Sequence, residues 1–124
     1  MEAALRELVR QRADNRCEYC SLRQDEDSFF RFHIEHIIAK QHGGTTAEEN
    51  LALSCHFCNR RKGPNLSGID PKSLRVVQLF NPRTQRWSDH FRRSGPLIIG
   101  RTAIGRATVK LLEMNAQPRI ELRS

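Results

Sequence analysis

His33-Ile34-Glu35-His36-Ile37-Ile38, Gly43-Gly44, Asn50-Leu51-Ala52-Leu53-Ser54 and Cys55-His56-Phe57-Cys58-Asn59 follow one another in a single short stretch. A second Cys pair, Cys17-Glu18-Tyr19-Cys20, stands upstream. Groups able to bind a metal, hold a water or take a proton are too dense here to be mostly core filling. From Phe29 to Ile38, and most clearly from Phe32, aromatic and β-branched residues predict a strand, with Phe32, Ile34 and His36 on one face and His33, Glu35 and Ile37 on the other. Glu35 and His36 are neighbours, so they serve one site only where the strand twists, bulges or ends. A loop over 39–49 has Gly43-Gly44 at its tip. Asn50–Ser54 is a second strand that buries Leu51 and Leu53. Cys55–Lys62 is a short helix, stopped by Gly63-Pro64.

The two Cys-x-x-Cys pairs bracket this unit. Two intervening residues let both thiolates of a pair reach one ion, and two such pairs supply four ligands for a closed tetrahedral zinc site. Two disulfides or free thiols are the competing states. A site with all four positions filled is structural.

Outward from the motif, 2–13 reads as a packing helix, with Leu5, Leu8, Val9 and Arg12 along one face. Asp14-Asn15 turns the chain into the first Cys pair. Downstream, 65–70 is rich in turn residues, 75–80 reads as a strand, and 87–91 and 97–99 as further strands. Thr102 caps a helix over 103–114, with Ile104, Ala107, Leu111 and Leu112 on one side. Phe80, Trp87 and Phe91 are core residues in preference to base-stacking ones. No repeat, low-complexity tract or clear linker divides the 124 residues. They are read as one domain, with 13–63 as its core and 64–124 as an extension packed on it.

Net charge is +7. Residues 1–62 hold 10 Lys/Arg and 10 Asp/Glu, whereas 63–124 hold 11 and 4. The excess positive charge lies wholly after the motif, which points to a polyanionic partner. There is no apolar leader after Met1 and no run long enough to cross a bilayer, so the expected setting is a reducing cytoplasm without membrane contact.

Cys17-x-x-Cys20, Glu35-His36-Ile37, Gly43-Gly44, Asn50-Leu51 and Cys55-x-x-Cys58-Asn59-x-x-Lys62-Gly63 together resemble the HNH endonuclease family. Glu35 stands where that family usually has Asp, and Asn59 where it often has His. The resemblance implies an α+β chain: a small ββα-metal core stapled by Cys17, Cys20, Cys55 and Cys58, with an N-terminal helix and a basic C-terminal α/β extension. It implies His36 as general base, Asn50 orienting the His36 ring, and Glu35 and Asn59 holding a catalytic Mg²⁺ or Mn²⁺. His33 is a third candidate ligand, and manganese suits a site that includes it. The implied reaction is hydrolysis of DNA, leaving 5′-phosphate and 3′-hydroxyl ends. Arg60, Arg61, Lys62, Arg92 and Arg93 are the expected contacts to DNA phosphates, supported by Arg83, Arg86, Arg101, Arg106 and Lys110. Two other readings compete: a zinc-stapled nucleic-acid-binding module that does not cut, and a protein-interaction adaptor. A pure binder has no need for His36 and Asn50, and an adaptor leaves the basic half unexplained.

Overall fold

The computed structural model describes residues 1–124. Helix α1 spans Ala3–Arg12. Val9 is fully buried and Leu5 packs beside it, but Leu8 is 40% exposed, so the apolar stripe is narrower than its spacing suggests. The helix is docked by its arginines. Arg10 donates to the Phe32 carbonyl at 2.9 Å, and Arg12 to the carbonyls of Glu48 and Leu51 at 3.1 and 2.8 Å. Asp14 and Asn15 take φ of 54° and 51°. Their short polar side chains tolerate this left-handed region, and the chain turns there into the first Cys pair.

Strands β1 (His33–His36) and β2 (Leu51–Ser54) form an antiparallel hairpin that pairs His33 with Ser54 and His36 with Leu51. All four residues of β2 are buried, not only Leu51 and Leu53, so both faces of that strand are covered. Helix α2 (His56–Lys62) follows directly and packs on β1. Gly63 then stops it at φ 48°. Strand, strand and helix thus form a ββα unit, and the whole is a mixed α+β chain with small antiparallel strand pairs.

The C-terminal half adds β3 (Ser67–Ile69) and β4 (Val76–Gln78), then a one-turn helix α3 (Trp87–His90). Next come β5 (Phe91–Ser94), β6 (Leu97–Gly100), α4 (Ala103–Leu111) and α5 (Gln117–Arg123). The expected strand over 87–91 is therefore mostly helix. The Trp87 indole donates to the Tyr19 carbonyl at 2.7 Å and its ring stacks on Phe91, which ties that turn to the first Cys pair. The segment read as turn-rich contains β3, a strand made by pairing with β4 and not by its own Ser-Gly-Ile composition. Thr102 caps α4 as expected, accepting from the Gly105 amide at 3.1 Å. Phe80 and Phe91 are buried. They join one apolar cluster with Val9, Tyr19, Phe32 and Leu53, so residues from both halves share a core.

Candidate metal centre and cleft

The first Cys pair is pinned to the hairpin by Glu18. Its amide donates to the Leu53 carbonyl at 2.9 Å and its carboxylate accepts from the Leu53 amide at 2.8 Å. The second pair opens α2, with Cys55 as N-cap accepting from the Cys58 amide. All four Sγ atoms are buried and lie within 4.8 Å of one another. Cys20 and Cys55 are 3.7 Å apart. A tetrahedron with Zn–S bonds of about 2.3 Å has sulfurs about 3.8 Å apart. A disulfide needs about 2.05 Å, and all four cysteines are free. The cluster therefore fits a zinc site. Burial and the neighbouring sulfurs push Cys17 and Cys58 well above the usual thiol range, while hydrogen bonds from the other three cysteines hold Cys20 well below it.

One cation already faces the sulfurs. Arg119 of α5 is buried, with Nη2 2.8 Å from Cys58 Sγ and 3.7 Å from Cys55 Sγ. Its Nη1 holds the Leu112 carbonyl, and its guanidinium lies 5.4 Å from the centre of the Phe57 ring. Burial alone would lower the Arg119 pKa, but the sulfurs of Cys58, Cys20 and Cys55 outweigh it and raise it. Four thiolates around Zn²⁺ carry a net double negative charge, which Arg119 partly offsets.

Glu35, His36 and Asn59 line one open cleft of about 320 Å³, together with Lys40 and Gly63. The three come together because β1 ends at His36 and α2 runs alongside. The His36 ring is partly exposed, with Nε2 3.0 Å from the Thr46 hydroxyl. Partial burial and the nearby Lys40 charge lower its pKa below the ordinary value of 6.5, so the ring is neutral at neutral pH. Glu35 is buried: its Oε1 accepts from the Tyr19 phenol and its Oε2 lies 3.6 Å from the Lys62 ammonium. Burial raises its pKa, opposed by Lys62 and by the phenol.

Residues 17–65 match the HNH endonuclease family. The chain is also similar to the Septu protein PtuB of Bacillus thuringiensis, 29% identical over 110 residues, covering 87% of this chain. It spans 40% of the length of that curated relative. No solved structure gives a significant match. The HNH family supports a nuclease-type function in general terms. No helix is long and apolar enough to cross a membrane.

Several expected contacts differ. The Asn50 side chain makes no hydrogen bond to His36. Its Oδ1 accepts from the Ile38 amide at 2.9 Å, and its Nδ2 donates to the carbonyls of Ile38 and Thr45 at 3.0 and 2.8 Å. It clamps the loop that carries Thr46, and Thr46 is what holds the ring. The clamp explains the glycines: a Cβ at Gly44 would lie 1.7 Å from the Ile38 carbonyl oxygen, and Gly43 has φ 87°. Replacing Asn50 with Ala is expected to cost about 1–3 kcal/mol and to speed hydrogen exchange of the Ile38 amide. Unchanged exchange there would contradict the clamp.

His33 is outside the cleft. It pairs at the opposite end of β1 from His36, roughly 10 Å away at strand spacing, and its ring is 5.8 Å from that of His56. Lys62 is not free for phosphate. It is 2% exposed and donates to the Ile37 carbonyl at 2.8 Å, because a buried ammonium must find partners. Arg61 pairs with Glu113 at 2.8 Å. Arg83 pairs with Glu18, and Arg106 grips Asp70 with two bonds. Arg60, Arg86, Arg92, Arg93, Arg101 and Lys110 remain exposed. Sequence reading missed Thr46, Tyr19 and Arg119 as site residues. No motif marks Thr46, and Arg119 reaches Cys58 across 61 positions.

Proposed function

We propose that the chain hydrolyses DNA phosphodiester bonds with a divalent cation bound at Glu35 and Asn59. The observation that carries this reading is that Glu35, His36 and Asn59 line one open cleft. A carboxylate oxygen and an amide oxygen suit a hard ion such as Mg²⁺ or Mn²⁺, with water and phosphate completing the shell. Such a cation, when bound, withdraws charge from the scissile phosphate. His36, neutral and open to solvent on the cleft wall, takes the proton from the attacking water. Thr46 fixes the ring through Nε2, and the Asn50 clamp fixes Thr46. His33 has no part in this arrangement. Zinc at Cys17, Cys20, Cys55 and Cys58 holds the first Cys pair against α2, and residues 1–124 act as one unit through their shared core.

Plasmid nicking with Mg²⁺ or Mn²⁺, with EDTA as control and His36→Ala beside the parent, tests this. The rival reading is a zinc-stapled DNA binder that does not cut. It draws on the burial of Glu35 and its engagement with Tyr19 and Lys62. Binding without metal-dependent nicking would favour it.

For either reading, exposed Arg92 and Arg93 of β5 are the proposed backbone contacts. Each phosphate contact contributes about 0.9 to the slope of log K against log salt. The Arg92→Ala/Arg93→Ala double variant is therefore expected to flatten that slope by about 1.8, measured by anisotropy on a duplex. An unchanged slope would remove β5 from the interface.

A further inference from the structure

We infer that Tyr19 and Lys62 are positioning residues for the Glu35 carboxylate, so that the two Cys pairs together set the geometry of the cation site. This rests on the reading of Glu35 as a cation ligand. Tyr19 lies between Cys17 and Cys20 and is fully buried. Lys62 lies one helical turn beyond Cys58 and is 2% exposed. Each Cys pair thus sends one buried side chain to the same carboxylate, one to each oxygen.

The two contacts differ in kind. The phenol donates to Oε1 and occupies it. Lys62 has its short bond elsewhere, to the Ile37 carbonyl at 2.8 Å, and stands 3.6 Å from Oε2. At that distance it balances charge without filling a lone pair of Oε2. Oε2 is left as the oxygen without a hydrogen-bond partner, in a carboxylate that lines the cleft. Tyr19 cannot swing away. Its carbonyl holds the Trp87 indole at 2.7 Å, its ring meets Phe80 edge-on, and its neighbour Glu18 is fixed to Leu53. A carboxylate held at one oxygen by a rigid phenol presents the other in one direction, and such outer-shell partners govern how well a ligand binds its metal.

The test uses the full, zinc-loaded chain and Mn²⁺ binding followed by electron paramagnetic resonance. Tyr19→Phe is expected to weaken Mn²⁺ binding about 10- to 100-fold. Its cobalt-substituted form should keep the thiolate-to-cobalt absorption of the parent, showing an intact cysteine site. Affinity within twofold of the parent, with that absorption intact, overturns the inference. If Tyr19→Phe does not fold, a second readout needs no substitution. The chain has one tyrosine, so 3-fluorotyrosine labelling gives a single fluorine resonance that reports Tyr19 alone. That resonance is expected to shift on Mg²⁺ titration and to stay still in Glu35→Gln; a resonance that Mg²⁺ leaves unmoved overturns the inference. A parent that binds neither Mn²⁺ nor Mg²⁺, or a Glu35→Gln variant that binds as the parent does, overturns the cation reading of Glu35 and this inference with it. Failure of the Tyr19 arms alone leaves that reading standing.

Discussion

Stripping the metal from the reduced protein with a strong chelator is expected to unfold it. The four cysteines belong to the apolar core, and they join two segments that sequence keeps far apart. Structural zinc binding supplies an apparent free energy of about 10–16 kcal/mol. A domain of this size is stable by only about 5–15 kcal/mol in total. Loss of the ion therefore removes about as much as the fold has. It also leaves buried thiols whose mutual contacts replace only part of the coordination, and it loosens the partner that Arg119 faces from α5. Tyr19 and Glu18 go with the first Cys pair, and with them the anchor on β2 and the hold on Glu35. Circular dichroism should show the cooperative thermal transition disappearing as a chromophoric chelator reports zinc release. Cys58→Ser should do the same without chelator, because a hydroxyl is a poor substitute for a thiolate ligand. A transition that survives stoichiometric zinc release would show that the core stands on apolar contacts alone.

Replacing His36 with Ala is expected to reduce metal-dependent nicking by about 10²–10⁴-fold while leaving the melting temperature nearly unchanged. The ring is partly exposed and makes one side-chain contact, to Thr46, so little packing is lost. What disappears is a neutral imidazole beside the cleft. Its pKa is lowered by desolvation and by Lys40, so the group is ready to accept a proton at neutral pH. The sign fixes the pH profile: the rate should be full above pH 6.5 and fall as acid protonates the ring, with the acid limb below that value. A variant that nicks within a few-fold of the parent would remove His36 from the reaction. An acid limb above pH 6.5 would mean that another group sets the profile.

Much of the ββα unit was legible because its signals are local. Alternation over 32–38, the Asn50-Leu51 start of β2 and the Gly63-Pro64 stop each depend on a few adjacent residues. The same holds for the Thr102 cap. Errors arose where a segment takes its conformation from a distant partner. Ser67–Ile69 is a strand because Val76–Gln78 lies beside it. Trp87–His90 is helical with its indole engaged at Tyr19. Helix α5 is tied down by Arg119 and Arg123, which bond carbonyls and a cysteine sulfur in the interior.

The candidate site divides in the same way. Spacing alone placed four cysteines around one point, because two intervening residues fix the reach of each pair. Spacing also put Glu35, His36 and Asn59 in one short stretch. The tertiary structure alone decided which polar groups were left free for chemistry. A buried charge or amide must be partnered, and the partner depends on what packing brings near: Lys62 went to Glu35 and a carbonyl, Asn50 to the loop backbone, and Arg119 to the cysteines. Sequence carries each group's chemical capacity, but the folded chain determines which capacities its own interior consumes.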